Sequence, residues 1–154
     1  MRRKERLIQD QEIIDQIIAK SVICRVALHD EKYPYMVPMN YGYRNNSLYF
    51  HCALEGKKLN LIRKNNKVCF EIELDHEIVK YAESCKWTTK YRSVVGYGTM
   101  EIIEDHDEKQ KGLDIIMQHH GKMENEYVDK IVKRIHILKL NIDRSTGKQG
   151  GDWE

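Results

Sequence analysis

Hydrophobic and polar positions change period several times along the chain. In "QEIIDQIIAK" (11–20) isoleucines 13, 14, 17 and 18 fall on one face of a helix, and Asp10 ahead of them is a good N-cap. From residue 21 the pattern turns to strands. "SVICRVALHD" is rich in β-branched residues, "DEKYP" is a charged turn, and "YMVPMNYGYR" (35–44) reads as one further strand. Pro38 in it has no N–H for a ladder, so this strand is expected at an edge, at a bulge or turned toward a ligand. Asn45 and Asn46 form a turn into "SLYFHCA", where alternation sends Tyr49 and His51 to one face and Phe50 and Cys52 to the other.

Further on, "KLNLIRKNN" offers about two helical turns, and "KVCFEIEL" is strand-like. Residues 75–90 fit a loop, a short strand or a helical turn. "RSVVGYGTMEIIED" resumes a long strand with Gly96 and Gly98 on one side, which permits a bulge or a close approach. Asp105 or Asp107 caps a helix through "EKQKGLDIIMQHHG", with Leu113, Ile116 and Met117 on one face. "RIHILKLNID" is the last strand, and residues from about 143 to 154 read as a polar tail. Six or seven strands joined mostly by short connections predict a mainly β fold: an antiparallel sheet curled into a β-barrel with flanking helices, in a single domain spanning 1–154. Neither GxGxxG nor GxxxxGK[ST] occurs.

The charge balance narrows the function. Lys and Arg number 26 against 24 Asp and Glu, a formal charge of +2, so net charge does not mark a nucleic-acid or membrane-surface binder. Any positive charge that matters is local, and the "RRK" at the start is too short for a nucleic-acid stripe. No apolar run approaches the roughly 20 residues of a membrane helix, and none follows the charged start. Cys24, Cys52, Cys69 and Cys85 contain no CxxC pair and read as reduced thiols of a cytoplasmic protein. His119 and His120 would point about 100° apart on a helix, which does not suit one metal, and no metal site is expected.

The most informative stretch is "YFHCALEGKKLNLIRKNN" (49–66). Gly56, Lys57 and Lys58 precede a helical pattern, and a helix start presents unpaired N–H groups and partial positive charge. Glycine admits an anion to the main chain and lysines add point charges, so the three form a phosphate cup; a solvated turn accounts equally for the lysine pair taken alone. His51 reads either as a surface histidine or as a neighbour of that cup. Cys52 reads as a pocket-wall thiol or a redox-sensitive one.

Taken together, "YMVPMNYGY", "YFHCALEGKKLNLIRKNNKVCFEI" and "YRSVVGYGTMEIIED" followed by "EKQKGLDIIM" resemble the pyridoxamine 5'-phosphate oxidase-related flavoproteins, and among them the 5-nitroimidazole resistance (Nim) proteins, from about Arg2 to Lys148. The resemblance implies an FMN-binding split β-barrel acting as a homodimer with flavin sites at the subunit interface. Lys57 and Lys58 would hold the phosphate, with Gly56 at the close approach. Met36, Val37, Pro38, Met39 and Asn40 would run beside the isoalloxazine ring. His51 and Cys52 would line the pocket, Arg92 and Ser93 would reach it from the second subunit, and Trp87 would pack over flavin or substrate. The activity implied is an FMN-dependent reductase taking electrons from NAD(P)H and reducing small oxidised compounds such as nitroimidazoles, with His51 positioning substrate or supplying a proton. A different class is also compatible: a non-catalytic flavin- or heme-binding protein on the same barrel. Arg134 and His136 have the R-x-H spacing of vitamin-B6 oxidases but sit within a strand pattern, so that activity is not expected. Lys57 stands where relatives often carry arginine, which loses the planar fork and points to modest FMN affinity.

Overall fold

The computed structural model describes residues 3–151 and 153. The opening helix forms as its period predicts: α1 is Gln11–Lys20, the Asp10 carboxylate accepts from the Glu12 N–H, and Ile14, Ile17 and Ile18 are buried. A two-residue strand, β1 (Leu7–Ile8), precedes it. The others are β2 (Ile23–Leu28), β3 (Tyr35–Asn40), β4 (Gly42–Arg44), β5 (Ser47–Ala53), β6 (Lys67–Val79), β7 (Thr88–Ile103) and β8 (Ile135–Gly150). Helix α2 is Lys57–Lys64, α3 is His106–His119 and α4 is Asp129–Val132. Among the described residues, none of these helices is long and apolar enough to cross a membrane.

All eight strands share one antiparallel sheet ordered β3-β2-β6-β7-β8-β5-β4, with β1 added to β8. The two ends of that order, β3 and β4, are separated in the chain by Tyr41 alone. The sheet must therefore curl until its ends meet, closed by the chain and not by a ladder: a split barrel. Tyr41 has no exposed surface, and its hydroxyl donates to the Ile18 carbonyl. The expected strand over 35–44 is thus two strands: Tyr41 keeps the inward phase of Tyr35, Val37 and Met39, and the ladder partner changes there from β2 to β5. That division and β1 account for eight strands where six or seven were expected.

Three other expectations need correction. Residues 143–150, expected as polar tail, continue β8: Gln149 pairs with Arg92 and Gly150 with Tyr91. Residues 152 and 154 of that tail lie outside the described residues. The stretch 75–90 supplies the far ends of β6 and β7, joined through a 3₁₀ turn at Ser84–Lys86. Helix α3 is capped by Asp105, but it buries Lys109, Gly112, Ile115 and Ile116, a face rotated from the predicted one. Gly112 permits this rotation: a Cβ there would lie 2.8 Å from Ile137 Cγ2, so the helix comes down on its small residue. The predicted bulge is present, with Tyr97 opposite Arg144 and Gly98 opposite Ile142, leaving Asp143 as the extra residue.

Inside, Phe50, Phe70, Leu48, Ile72 and Leu138 form the core with the isoleucines of α1. Each fully buried side chain of this kind contributes about 1.5–3 kcal/mol. Behind the seam, the half-buried His119 ring packs on Tyr41 with centroids 4.7 Å apart, and its Nε2–H donates to the Ser21 carbonyl at 2.7 Å. Burial holds the imidazole below the ordinary histidine value; the Ser21 carbonyl opposes that shift and His120 adds to it. A neutral folded His119 means the unfolded chain takes up the extra proton, so this contribution is complete above about pH 6.5 and is lost as pH falls below it. Urea midpoints compared at about pH 7.5 and about pH 5.5 should drop less in His119→Gln than in the natural protein. An equal drop in both would remove His119 from the acid response.

Candidate functional site

Among the described residues strand β3 pairs with β2 and leaves its other edge unpaired, as Pro38 foretold. Met36, Pro38 and Asn40 face outward and are exposed, while Tyr35, Val37 and Met39 are partly buried. The neighbouring outward face belongs to β5, where His51 is exposed and Phe50 and Cys52 are buried. Running back from the Gly42–Tyr49 pair, β3 diverges from β5 and no ladder joins them. His51 and Cys52 therefore stand on opposite faces of one strand. An outward ligand meets the imidazole and not the thiol.

Helix α2 begins beside this split. Both α1 and α3 carry an aspartate whose carboxylate caps the first turn, whereas the residue before α2 is Gly56, which makes no side-chain cap. The first-turn N–H groups of α2 lack intrahelical partners and stay open to an anion. Gly56 has φ +138°, and a Cβ built on it would meet nothing within 4 Å. Glycine is needed here for backbone conformation, not for space.

The two lysines diverge. Lys57 Nζ lies 2.8 Å from Asp30 Oδ2 and 4.8 Å from the centre of the Tyr35 ring. Lys58 Nζ donates to Met39 Sδ at 3.3 Å and leans toward Cys52. Burial pushes the Cys52 thiol up, and the charge of Lys58 and the His136 N–H offset this only in part. Cys52 is therefore a neutral wall residue near pH 7. Asp30, for which the sequence offered no signal, is the carboxylate that orients Lys57; the Lys57 ammonium in turn holds it below the ordinary range.

The remaining predicted residues lie elsewhere. β7 stands three strands from β3 in the sheet order, about 14 Å at ~4.8 Å per strand. Ser93 shares the outward face with exposed Val95 and Tyr97. Arg92 points the other way, its guanidinium 4.2 Å from the Trp153 ring centre and its Nε donating to Gln149 at 3.3 Å. Trp87 is half-exposed, with its indole N–H on the Tyr81 carbonyl and Lys80 over the ring. In one chain Lys57 and Lys58 meet Tyr35 and Met39 on the partly buried face of β3, Met36, Pro38 and Asn40 lie on its opposite, exposed face, and Trp87, Arg92 and Ser93 stand apart at β7 and the turn before it. Among the described residues no cluster of three or more His, Cys, Asp or Glu side chains is placed to hold a metal ion.

A family model described as pyridoxamine 5'-phosphate oxidase matches residues 10–149. No curated protein matches the chain. Among solved structures, a candidate 5-nitroimidazole antibiotic resistance protein from Bacteroides thetaiotaomicron is 38% identical, with a TM-score of 0.83 over 93% of this chain and 86% of that one. The flavocytochrome Anf3 from Azotobacter vinelandii superposes at TM-score 0.85 and 17% identity, over 99% of this chain and 72% of its own. The FAD and heme binding protein of Mycobacterium smegmatis gives 0.85 at 21% identity, over 96% and 75%. At these identities the last two establish the fold alone.

Proposed function

The chain belongs to the pyridoxamine 5'-phosphate oxidase family, and we propose on that premise that it is a flavin-dependent reductase, holding FMN by its phosphate at the start of α2 and taking electrons from NAD(P)H. The observation that carries this reading is the uncapped first turn of α2, with Gly56 at positive φ and Lys58 beside it, next to the unpaired outward edge of β3. A phosphate needs donors and positive charge, and a flat apolar ring needs a surface with a few directed hydrogen bonds. The first turn of α2 meets the former requirement, and Met36 to Asn40 meet the latter. When bound, the flavin supplies two-electron chemistry; this chain's residues bind it, orient it and manage protons.

His51, exposed on the strand nearest that edge, is the residue placed to supply a proton to a small oxidised substrate such as a nitroimidazole. The likeness to the Bacteroides resistance protein supports that substrate class. Because Ser93 stands three strands from β3, a homodimer in which a second copy presents its Ser93 to this flavin completes the site. The four free thiols fit a reducing compartment, the cytoplasm.

A second reading, flavin or heme held without turnover, draws support from the exposed imidazole, which is free to serve as an axial ligand. An absorbance spectrum of the purified protein separates the two cofactors, since flavin bands and a heme Soret band do not overlap in shape. Anaerobic addition of NADH or NADPH then tests for bleaching of the flavin. His51→Ala should keep the flavin and lower turnover of a nitroimidazole by about 10²–10⁴-fold, the usual range for a lost general acid. Unchanged turnover would remove His51 from the reaction, and a colourless protein that takes up no flavin would end the reading.

A further inference from the structure

Between α3 and the outward face of the sheet opens a cleft of about 430 Å³. We propose that it binds a small organic monocarboxylate with an apolar body, at a site separate from the flavin and independent of it. The floor follows from the register. Tyr49, Lys139 and Glu101 are successive partners across β5, β8 and β7, and Arg44 stands on β4 two residues beyond Gly42, the partner of Tyr49. Gly112 and Ile115, both buried, line the cleft from α3, and Ile103 lines it from β7. Gly112 also rests on Ile137, the cross-strand partner of His51, so α3 stands between the cleft and the imidazole.

Charge decides what the cleft accepts. Its lining carries Arg44, Lys111 and Lys139 against Glu101 and Glu108, a surplus of one positive charge. The acids are already engaged: Glu108 accepts from Lys111 at 2.6 Å, and Glu101 accepts from Asn141 Nδ2 at 2.7 Å. Among the described residues neither Arg44 nor Lys139 is paired with a carboxylate. Arg44 donates to the side-chain carbonyl of Gln118, which steadies a guanidinium that has further N–H groups to give. A carboxylate takes a bidentate bond from an arginine and a point charge from a lysine. A phosphate dianion would bring a second charge toward Glu101 and Glu108, which repel it, and a neutral molecule would leave both cations without a counter-charge. Tyr49 and the two isoleucines give the rest of the ligand an apolar wall, and the volume lies within the range of small-molecule sites.

The test titrates the full chain with benzoate and follows the backbone amide signals by two-dimensional NMR. Saturable shifts are expected at Arg44, Tyr49, Glu101 and Lys139 and along residues 108–115 of α3. Benzamide, which has the same shape without the charge, and phenyl phosphate should each bind at least about tenfold more weakly. Lys139→Gln should raise the benzoate dissociation constant about tenfold and leave flavin binding as in the natural chain; Arg44→Gln makes the same comparison if Lys139→Gln fails to fold. Absence of saturable shifts at the cleft, equal or tighter binding of benzamide or phenyl phosphate, or unchanged benzoate affinity in a folded variant overturns the assignment. Shifts centred on Lys57 and Lys58 also overturn it, since the anion would then sit in the phosphate cup. Loss of the flavin reading would leave the cleft untouched, because none of its lining residues belongs to the proposed flavin site.

Discussion

Lys57→Ala combined with Lys58→Ala should lower flavin affinity by about 10²–10³-fold and leave the protein folded. In the proposed site each lysine would make a charge-assisted hydrogen bond to the phosphate, and removing both at once accounts for a change of that order. The shares are unequal. Lys57 already answers to Asp30 and the Tyr35 ring, so its charge is partly compensated, whereas Lys58 lies by the Met39 thioether and the neutral Cys52 thiol, with no carboxylate paired to it among the described residues. Lys58→Ala alone should therefore cost more affinity than Lys57→Ala alone. Neither lysine belongs to the core, and the Lys57–Asp30 pair is exposed enough for water and salt to screen it, so thermal melts of the double variant should stay close to those of the natural protein. Dialysis against added FMN, followed by absorbance, measures the loss. Retained flavin would move the phosphate away from α2, and salt would add a check: the natural affinity should fall with ionic strength and that of the double variant should hardly respond.

What the sequence made legible and what it hid follow from the range of the forces involved. The cap at Asp10, the isoleucine face of α1 and the alternation that opposes His51 to Phe50 are encoded within a few residues, and each stands as read. Pro38 announced an edge because one missing donor has the same consequence in any fold. The break at Tyr41 has no such local signature: "YMVPMNYGYR" alternates smoothly through Tyr41, and what changes there is the ladder partner, from β2 to β5, which is set by strands distant in sequence. The end of β8 was hidden by composition. "RSTGKQG" looks like a tail, yet Gly147 is where Ile8 and Ile14 pack against the strand, and a small residue is what that contact requires. At the site, the lysines and glycine were visible as chemistry, but their divergence was not, since Asp30 reaches Lys57 from a turn some 27 positions away. The resemblance sets Arg92 and Ser93 together at a flavin reached from a second subunit, and along β7 the two side chains face opposite ways.

The seam carries the largest stability prediction. Gly42 opens β4 directly after Tyr41, and a Cβ there would lie 2.5 Å from the Ile115 carbonyl oxygen and 2.6 Å from both the Ile115 carbon and the Ile116 nitrogen. All three atoms are backbone of α3, so no rotamer change can make room, and the helix itself must shift. That helix is pinned by the Asp105 cap at one end, by His119 on Ser21 at the other and by Gly112 on Ile137 between them. Gly42→Ala should therefore cost about 3 kcal/mol, toward the upper end for overpacking, and lower the melting temperature by about 6–12 °C in a chain of this size. Gly112→Ala is the informative contrast, because the atoms nearest its new methyl belong to the Ile137 side chain and not to backbone; its cost should be smaller. The same displacement should reach function: β4 continues into β3 through Tyr41 alone, so pushing β4 off α3 disturbs the edge from Met36 to Asn40. Gly42→Ala is thus expected to weaken flavin binding at temperatures where it remains folded, an effect that Gly112→Ala should not share. Equal melting temperatures for Gly42→Ala and the natural protein would mean that α3 rests on the barrel loosely, and the seam would then have to be held by Tyr41 and α1.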